Sequence, residues 1–529
     1  MAPSSVTVGR LLRDTAQERG EHPFVICDSE RITYAAAELR SAALARGLWA
    51  LGVRKGTHVG VLYPNGADFV VTMLAAARVG AVVVPFSTFA TATELRTQLV
   101  HSDTAVMLSA SAFRGHDYRA RIAEGLGVTP DEMDSAAPLH LASAPVLRHV
   151  VLDLDMLARR GESVRAERLA AAEDDVDGCD PLAIIYTSGS TAAPKGTVHT
   201  HAGILRHQAD LNEIRGLSRD DKLFCNSPFF WIGGFAFSLL AILSARATLL
   251  CSNATDAGDT LDLLEAEKPN VTNGFVGTIA HLTRHPSFAD RDLSALRRGN
   301  LYPLMPADCR PADPELRHSM LGMTEAGSVV LLDGDVSDQP ESRRGSFGRP
   351  APGFEVTVVD ADTGAPVPTG AVGELLIRGP YMMDRYYGLS REECFDPDGW
   401  FHTGDLVRTD SDGYFYFVGR AGAMIKTAGA NVAPPEVEAA LQRALSPVLG
   451  DVAVHVLGID DAERGQVVAA VIVTDRPEVF DETAVRTALR SDLSAYKVPR
   501  RFVTCPPEKL PLRSSGKLDL TALARFFDA

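Results

Sequence analysis

The sequence predicts an α/β protein, with a large N-terminal domain of layered α/β subdomains plus a β-rich subdomain, and a small α+β C-terminal domain. Three observations predict it. Helical and strand-like stretches alternate through the first half, a β-α-β-α rhythm that favours sheets with helices on their faces. After Gly345 the texture changes to strand-like runs separated by Gly, Pro and Asp turns. From Arg420 onward helical and strand patterns mix again and end in a basic tail. The boundary falls near residues 419–423, dividing the chain into 1–419 and 420–529.

In chain order, residues 35–51 form an Ala- and Leu-rich helix that stops near Gly52. Residues 58–62 are a short apolar strand, and Pro64-Asn65-Gly66 follows as a turn signal. Residues 69–77 read as a buried helix, 81–84 as a strand, 93–101 as a helix and 105–108 as a strand. Residues 131–180, rich in Ala and acids, read as exposed connecting structure with one apolar run at 150–154. Residues 182–185 are an apolar strand. In the β-rich part, 355–359, 374–378 and 414–418 are strands. The C-terminal part carries helices at 434–444 and 482–489 and strands near 452–457 and 467–473.

The chain has 529 residues, enough for a sizeable core. Its 52 Lys+Arg against 68 Asp+Glu give a net charge of −16, which argues against a protein that grips phosphate backbones through bulk charge. Nucleic acid is therefore excluded as a partner. Seven scattered cysteines with no C-x-x-C pair supply neither a disulfide framework nor a zinc site, so a reducing cytoplasm is the expected location. The N-terminus lacks a long apolar secretory core, and the apolar stretch 69–86 is interrupted by Arg78 and Gly80, so no membrane span is expected.

The strongest motif is Tyr186-Thr187-Ser188-Gly189-Ser190-Thr191-Ala192-Ala193-Pro194-Lys195-Gly196, directly after an apolar strand. Hydroxyls, exposed N–H groups, a glycine that permits close approach and a lysine charge together suit a polyphosphate. It is not a Walker A loop, because Gly196 rather than Ser or Thr follows the lysine. Ordinary Ser/Gly stretches are surface loops; the buried strand before this one and the Pro-Lys-Gly after it set it apart.

Further motifs follow: Gly322-Met323-Thr324-Glu325, Gly373-Glu374-Leu375, Gly399-Trp400-Phe401-His402-Thr403-Gly404-Asp405, Gly419-Arg420 with Ile425-Lys426, and Gly516-Lys517. Taken in this order, over nearly the whole chain, they resemble the adenylate-forming superfamily of acyl-CoA synthetases, peptide-synthetase adenylation domains and luciferases. The acyl-CoA ligases are the most similar branch.

The resemblance implies that a carboxylic acid and ATP give an acyl-adenylate and pyrophosphate, and that a thiol, most often that of CoA, then takes the acyl group. It implies that Thr187, Ser188, Gly189, Ser190, Thr191 and Lys195 hold the β- and γ-phosphates, with Leu321, Gly322 and Met323 lining the nucleotide site. Thr324 contacts the α-phosphate, Glu325 helps hold Mg²⁺ as its metal ligand, Asp405 accepts from both ribose hydroxyls, and Arg420 lies at the ribose or phosphate side. Lys517 is the adenylation lysine, bridging substrate carboxylate and α-phosphate. The C-terminal domain is mobile in this family. Its hinge falls on Gly422, where relatives usually carry Asp or Lys, and Lys426 with Gly429 lines the tunnel for the thiol arm.

Two regions depart from the family pattern. Leu321 stands where an aromatic usually meets adenine, and Gly299-Asn300-Leu301-Tyr302-Pro303 replaces the usual Gly-Gly-Ala-Pro, offering Tyr302 as a substitute ring. The acyl pocket is expected from Trp231, Gly233, Gly234, Phe235, Asn273 and Gly274. Trp231 occupies a place where many relatives have His, and the two glycines suggest room for a chain or ring. No aspartate in 229–237 could pair an α-ammonium, which weighs against an α-amino acid. An aryl or medium-chain acyl carboxylate fits best. Three alternatives stay open at this point: loading of a separate acyl carrier protein, another acceptor including nitrite activation for diazotisation, and a non-catalytic nucleotide-binding homologue. A homodimer is left open as well.

Overall fold

Runs of Val, Ile and Leu too short for helices form two largely parallel sheets, each buried on both faces. A computed structural model of the chain describes residues 6–133, 137–187, 195–361, 363–420, 424–450, 452–511 and 518–528. One sheet has six strands, ordered Arg298–Gly299, Val271–Asn273, Lys222–Cys225, Thr248–Cys251, Pro23–Cys27, Glu30–Thr33. The helix Ala67–Arg78 touches strands of both sheets, and every residue in it except Asp68 is buried. A helix apolar on all sides belongs between two layers, as here.

The helix α1 (Ala92–His101) packs Leu95 and Leu99 on a face of the second sheet. It starts with a capping box in which the Thr91 hydroxyl accepts from the Glu94 N–H and the Glu94 carboxylate accepts from the Thr91 N–H. The second sheet has seven strands and contains β1 (Pro181–Thr187) and β2 (Lys195–Thr200). β1 and β2 pair antiparallel, with Thr187 opposite Lys195. The phosphate-loop motif is thus the connection of a β-hairpin, and its residues 188–194 lie outside the described ones.

The stretch 131–180, expected as connecting structure, carries the helices Leu154–Gly161 and Ala166–Asp174. The first packs on helix Tyr34–Ala50 through two glycines. A Cβ on Gly47 would lie 2.2 Å from the Leu157 carbonyl oxygen, and one on Gly161 would lie 2.6 Å from the Gly47 nitrogen. Only paired glycines allow backbones this close.

The β-rich part is a four-stranded antiparallel sheet that includes β3 (Phe401–Thr409) and β4 (Phe415–Arg420), joined by a three-stranded sheet carrying Leu321–Met323. The five-stranded C-terminal sheet begins at Ile425 and is flanked by α2 (Pro434–Leu449) and α3 (Glu482–Asp492). Pro at the start of α2 and the Asp481 side chain accepting from the Thr483 and Ala484 N–H groups fix the two helix starts. Val437, Ala440, Leu441 and Leu445 then turn one face of α2 into that domain's core. Among the described residues, no helix is long and apolar enough to cross a membrane.

Candidate active site

A cleft of about 1500 Å³ runs between the two large sheets, the β-rich part and the C-terminal domain. Thr187 and Lys195, opposite each other at the base of the β1–β2 hairpin, line it together with Thr324 and Glu325. Lys195 Nζ lies 5.0 Å from the centre of the Tyr386 ring, and the Tyr386 hydroxyl donates to Glu325 Oε1 at 2.7 Å. A cation, an aromatic ring and a carboxylate are thereby held in one row. The Glu325 carbonyl accepts from the Met383 N–H at 2.7 Å. The Thr324 carbonyl accepts from His199 Nε2 at 2.8 Å, which requires the neutral ring to carry its proton on that nitrogen. Burial pushes His199 down to about 4, so the ring stays neutral.

The ribose motif is built by two sequence motifs acting on each other. Glu374 of Gly373-Glu374-Leu375 accepts from the Gly404 N–H at 2.9 Å, and the Thr403 hydroxyl donates to the Leu375 carbonyl at 2.6 Å. The turn so fixed presents Asp405 to the cleft while burying most of it. Asp405 on β3 is the register partner of Arg420 on β4. Among the described residues, no group of three or more His, Cys, Asp or Glu could hold a metal ion. A magnesium site would therefore draw on Glu325 and on phosphate oxygens of the nucleotide, a donor set that suits a hard cation.

Leu321, Gly322 and Met323 line the cleft on the strand that leads to Thr324. A Cβ on Gly322 would lie 2.6 Å from the Ser328 carbonyl oxygen, so that glycine serves close strand pairing. Tyr302 is not on the cleft wall; it packs with Leu301, Leu304 and Met305 in a separate core cluster. The aromatic that the cleft does offer here is Phe347, tilted against Phe417 at 5.9 Å.

At the acyl end Trp231, Gly233, Asn273 and Gly274 line the cleft, and Gly233 has open space where a Cβ would stand, with Ser227 Oγ nearest at 3.9 Å. Gly234 and Phe235 are placed elsewhere. A Cβ on Gly234 would lie 2.1 Å from the Pro228 carbonyl oxygen, so it serves backbone packing rather than making room. Phe235 is fully buried against Phe69. A π-helix at Phe235–Leu240 turns Phe237 into the cleft, a residue sequence reasoning missed along with Ser227, and Phe275 and Val276 line the cleft as well. The wall segments 227–237 and 271–276 contain no charged side chain.

From the C-terminal domain, Lys426 and Gly429 reach the same cleft. Gly429 has φ +83°, and a Cβ there would lie 2.7 Å from the Phe275 ring. Lys426 Nζ stands 5.1 Å from the Phe417 ring centre. Ser188, Gly189, Ser190, Thr191, Gly422 and Lys517 lie outside the described residues, as does the side chain of Arg420.

The chain matches the family described as AMP-binding enzyme over residues 12–387, and that described as AMP-binding enzyme C-terminal domain over 436–517. It is 31% identical to a feruloyl-CoA synthase from an Amycolatopsis species, with 92% of each chain covered. It is 30% identical to an indoleacetate–CoA ligase of Aromatoleum aromaticum, covering 90% of this chain and 89% of that one. Among solved structures it resembles a double mutant of o-succinylbenzoate CoA synthetase from Bacillus subtilis bound with a product analogue, at a TM-score of 0.76, 23% identity and 99% coverage of both chains.

Proposed function

The chain belongs to the AMP-binding enzyme family and is an AMP-forming acid–thiol ligase using ATP and CoA, and on that premise we propose that its acid is an aryl or medium-chain acyl monocarboxylate with no second charged group. The observation that carries this reading is the acyl wall. Trp231, Phe237, Asn273, Phe275 and Val276 line this end of the cleft, and none of them carries a charge. A buried ammonium or second carboxylate would find no partner there, and an unpaired buried charge is strongly disfavoured. The names of the feruloyl and indoleacetate enzymes point to aromatic acids, which supports the aryl half of the proposal.

In the first step a carboxylate oxygen attacks the α-phosphorus of ATP and pyrophosphate leaves. The barrier is largely the repulsion of two anions, so positive charge and positioning supply the catalysis. Thr187, Ser188, Gly189, Ser190, Thr191 and Lys195 hold the departing phosphates. Thr324 contacts the α-phosphate, and Glu325 would hold a Mg²⁺ ion, which when bound would supply neutralising charge at the phosphates. Asp405 and Arg420 seat the ribose, and Lys517 bridges the carboxylate and α-phosphate as the bond forms. In the second step the CoA sulfur attacks the acyl carbon and AMP leaves, with Gly429 leaving room for the thiol arm and Gly422 serving as pivot.

Pyrophosphate release with ATP and Mg²⁺, followed by mass spectrometry of the CoA products, tests the reading. Ferulate- or indoleacetate-like aryl acids and six- to ten-carbon acids are expected to give release and acyl-CoA. α-Amino acids and dicarboxylates are expected to give neither. An amino acid or dicarboxylate as the preferred substrate overturns the proposal.

A further inference from the structure

Lys497 sits where the two domains meet, 9% exposed, between carboxylates from each. Its Nζ donates to Glu94 Oε1 and to Glu436 Oε1, both at 2.7 Å. Glu94 belongs to α1 of the large domain, whereas Glu436 lies in the first turn of α2, in Lys497's own domain. The Ser494 hydroxyl donates to Glu94 Oε2 at 2.5 Å. Tyr496 stands against Phe89 with ring centres 6.2 Å apart, and Phe89 stands 6.1 Å from Trp231 of the acyl wall.

We infer that Glu94 and Lys497, with Phe89 and Tyr496, form a reversible docking seam that positions the C-terminal domain for thiol transfer rather than for adenylation. The inference rests on the two-step reading above. In the arrangement seen, the seam holds the turn bearing Lys426 and Gly429 over Phe275, at the mouth of the acyl pocket.

Reversibility follows from who keeps whom. A buried ion pair that loses one member leaves a bare charge, and such a pair opposes any motion that splits it. Here neither member is stranded when the domain swings away. Lys497 keeps Glu436, and Glu94 keeps the Thr91 N–H at 2.9 Å in the capping box. Closing adds the Lys497–Glu94 bond, hydroxyl bonds from Ser494 to Glu94 and from Thr91 to the Asp492 carbonyl, and the Phe89–Tyr496 ring contact, to groups that are already oriented. Burial works against the Lys497 charge, yet Tyr496, Glu94 and Glu436 outweigh it and hold the ammonium above its ordinary range. Among the described residues, the other ion pair between the domains, Arg284 with Glu463 at 3.3 Å, is exposed on both sides and adds little.

The test uses the full chain with Glu94→Gln, Lys497→Met and the double variant. Single-turnover pyrophosphate release without CoA reads the first step, and acyl transfer from preformed adenylate to CoA reads the second. Release is expected to stay within about twofold of wild type, while transfer falls by about tenfold, the loss of one charge-assisted bond. The double variant is expected to be no worse than either single one, because both act on one pair. Amide hydrogen exchange at residues 426–429 of the ligand-free protein is expected to rise. Equal losses in both steps, or unchanged transfer with unchanged exchange, overturn the inference. If wild type shows no carboxylate-dependent release, the two-step reading fails, and the exchange measurement still decides the seam: a rise in Glu94→Gln supports it and no change overturns it.

Discussion

Tyr386 was invisible to sequence reasoning, although it holds the carboxylate that the motif singles out. It lies 61 positions after Glu325 and outside every motif, and only the pairing of Arg385–Tyr386 with β2 brings it into contact. Tyr386→Phe removes a hydrogen bond to a charged acceptor, worth about 1.5–3 kcal/mol. Glu325 then loses its orientation, so the expected result is a higher Mg²⁺ requirement for pyrophosphate release, read from Mg²⁺ titrations at fixed ATP. Lys517→Ala is expected to slow pyrophosphate release on the order of 10²–10³-fold with the fold intact, by analogy with removing one preorganised donor. Circular dichroism and pyrophosphate release together check it, and unchanged release would sink the adenylation role. Sequence reasoning singles out such residues because their context is local: a lysine after Ser-Ser-Gly or a Glu after Gly-x-Thr carries its context with it. The acyl pocket was only half legible. Trp231, Gly233, Asn273 and Gly274 reach the cleft, but Gly234 and Phe235 do not. Gly234 packs against the Pro228 carbonyl and Phe235 against Phe69, whereas the π-helix that begins at Phe235 brings Phe237 round to the cleft.

Elements were recognised from the sequence where their pattern is strong. The expected helix 69–77 is observed as Ala67–Arg78 and the expected strand 58–62 as His58–Leu62. The stretch 131–180 was misjudged because its two helices are short and each buries only two residues, Leu157 and Gly161 in the first and Leu169 and Glu173 in the second. Their packing depends on Gly47, which in sequence looks merely like a weak point in a helix. Its close approach to Leu157 makes a sharp prediction. Gly47→Val forces a branched side chain into backbone 2.2 Å away and is expected to cost about 1–3 kcal/mol by overpacking. Urea denaturation should show a lower midpoint with unchanged slope. An unchanged midpoint would mean that helix Leu154–Gly161 does not hold to the core as described.

At the scale of the whole molecule, the motifs are spread over most of the chain, yet the cleft draws their described residues to one place between two sheets, the β-rich part and the C-terminal domain. The order of motifs made this gathering legible. The electrostatic consequence of burying so much polar machinery was not, because burial is a property of the fold. Helix 201–215 and β2 place His199 and His201 deep in the interior, and burial pushes each down to about 4 from the ordinary 6.5. The unfolded chain therefore binds protons at these sites before the folded one does, so stability is whole above about pH 6.5 and falls as pH drops toward 4. Each histidine is expected to remove about 2 kcal/mol of stability between pH 7 and pH 5. His201 Nδ1 accepts from the Val8 N–H at 3.2 Å, a bond that a Gln oxygen can replace. His201→Gln should therefore lose less stability than wild type between those pH values, by about 2 kcal/mol, in urea denaturation at both. Equal losses would mean that His201 is protonated as readily folded as unfolded. The acid lability would then have to come from carboxylates such as Asp221, whose folded form is held below the ordinary range by hydrogen bonds that outweigh its burial. His199 keeps its Nε2–H bond to the Thr324 carbonyl when protonated, so its acid sensitivity comes from burying the charge and not from losing that bond.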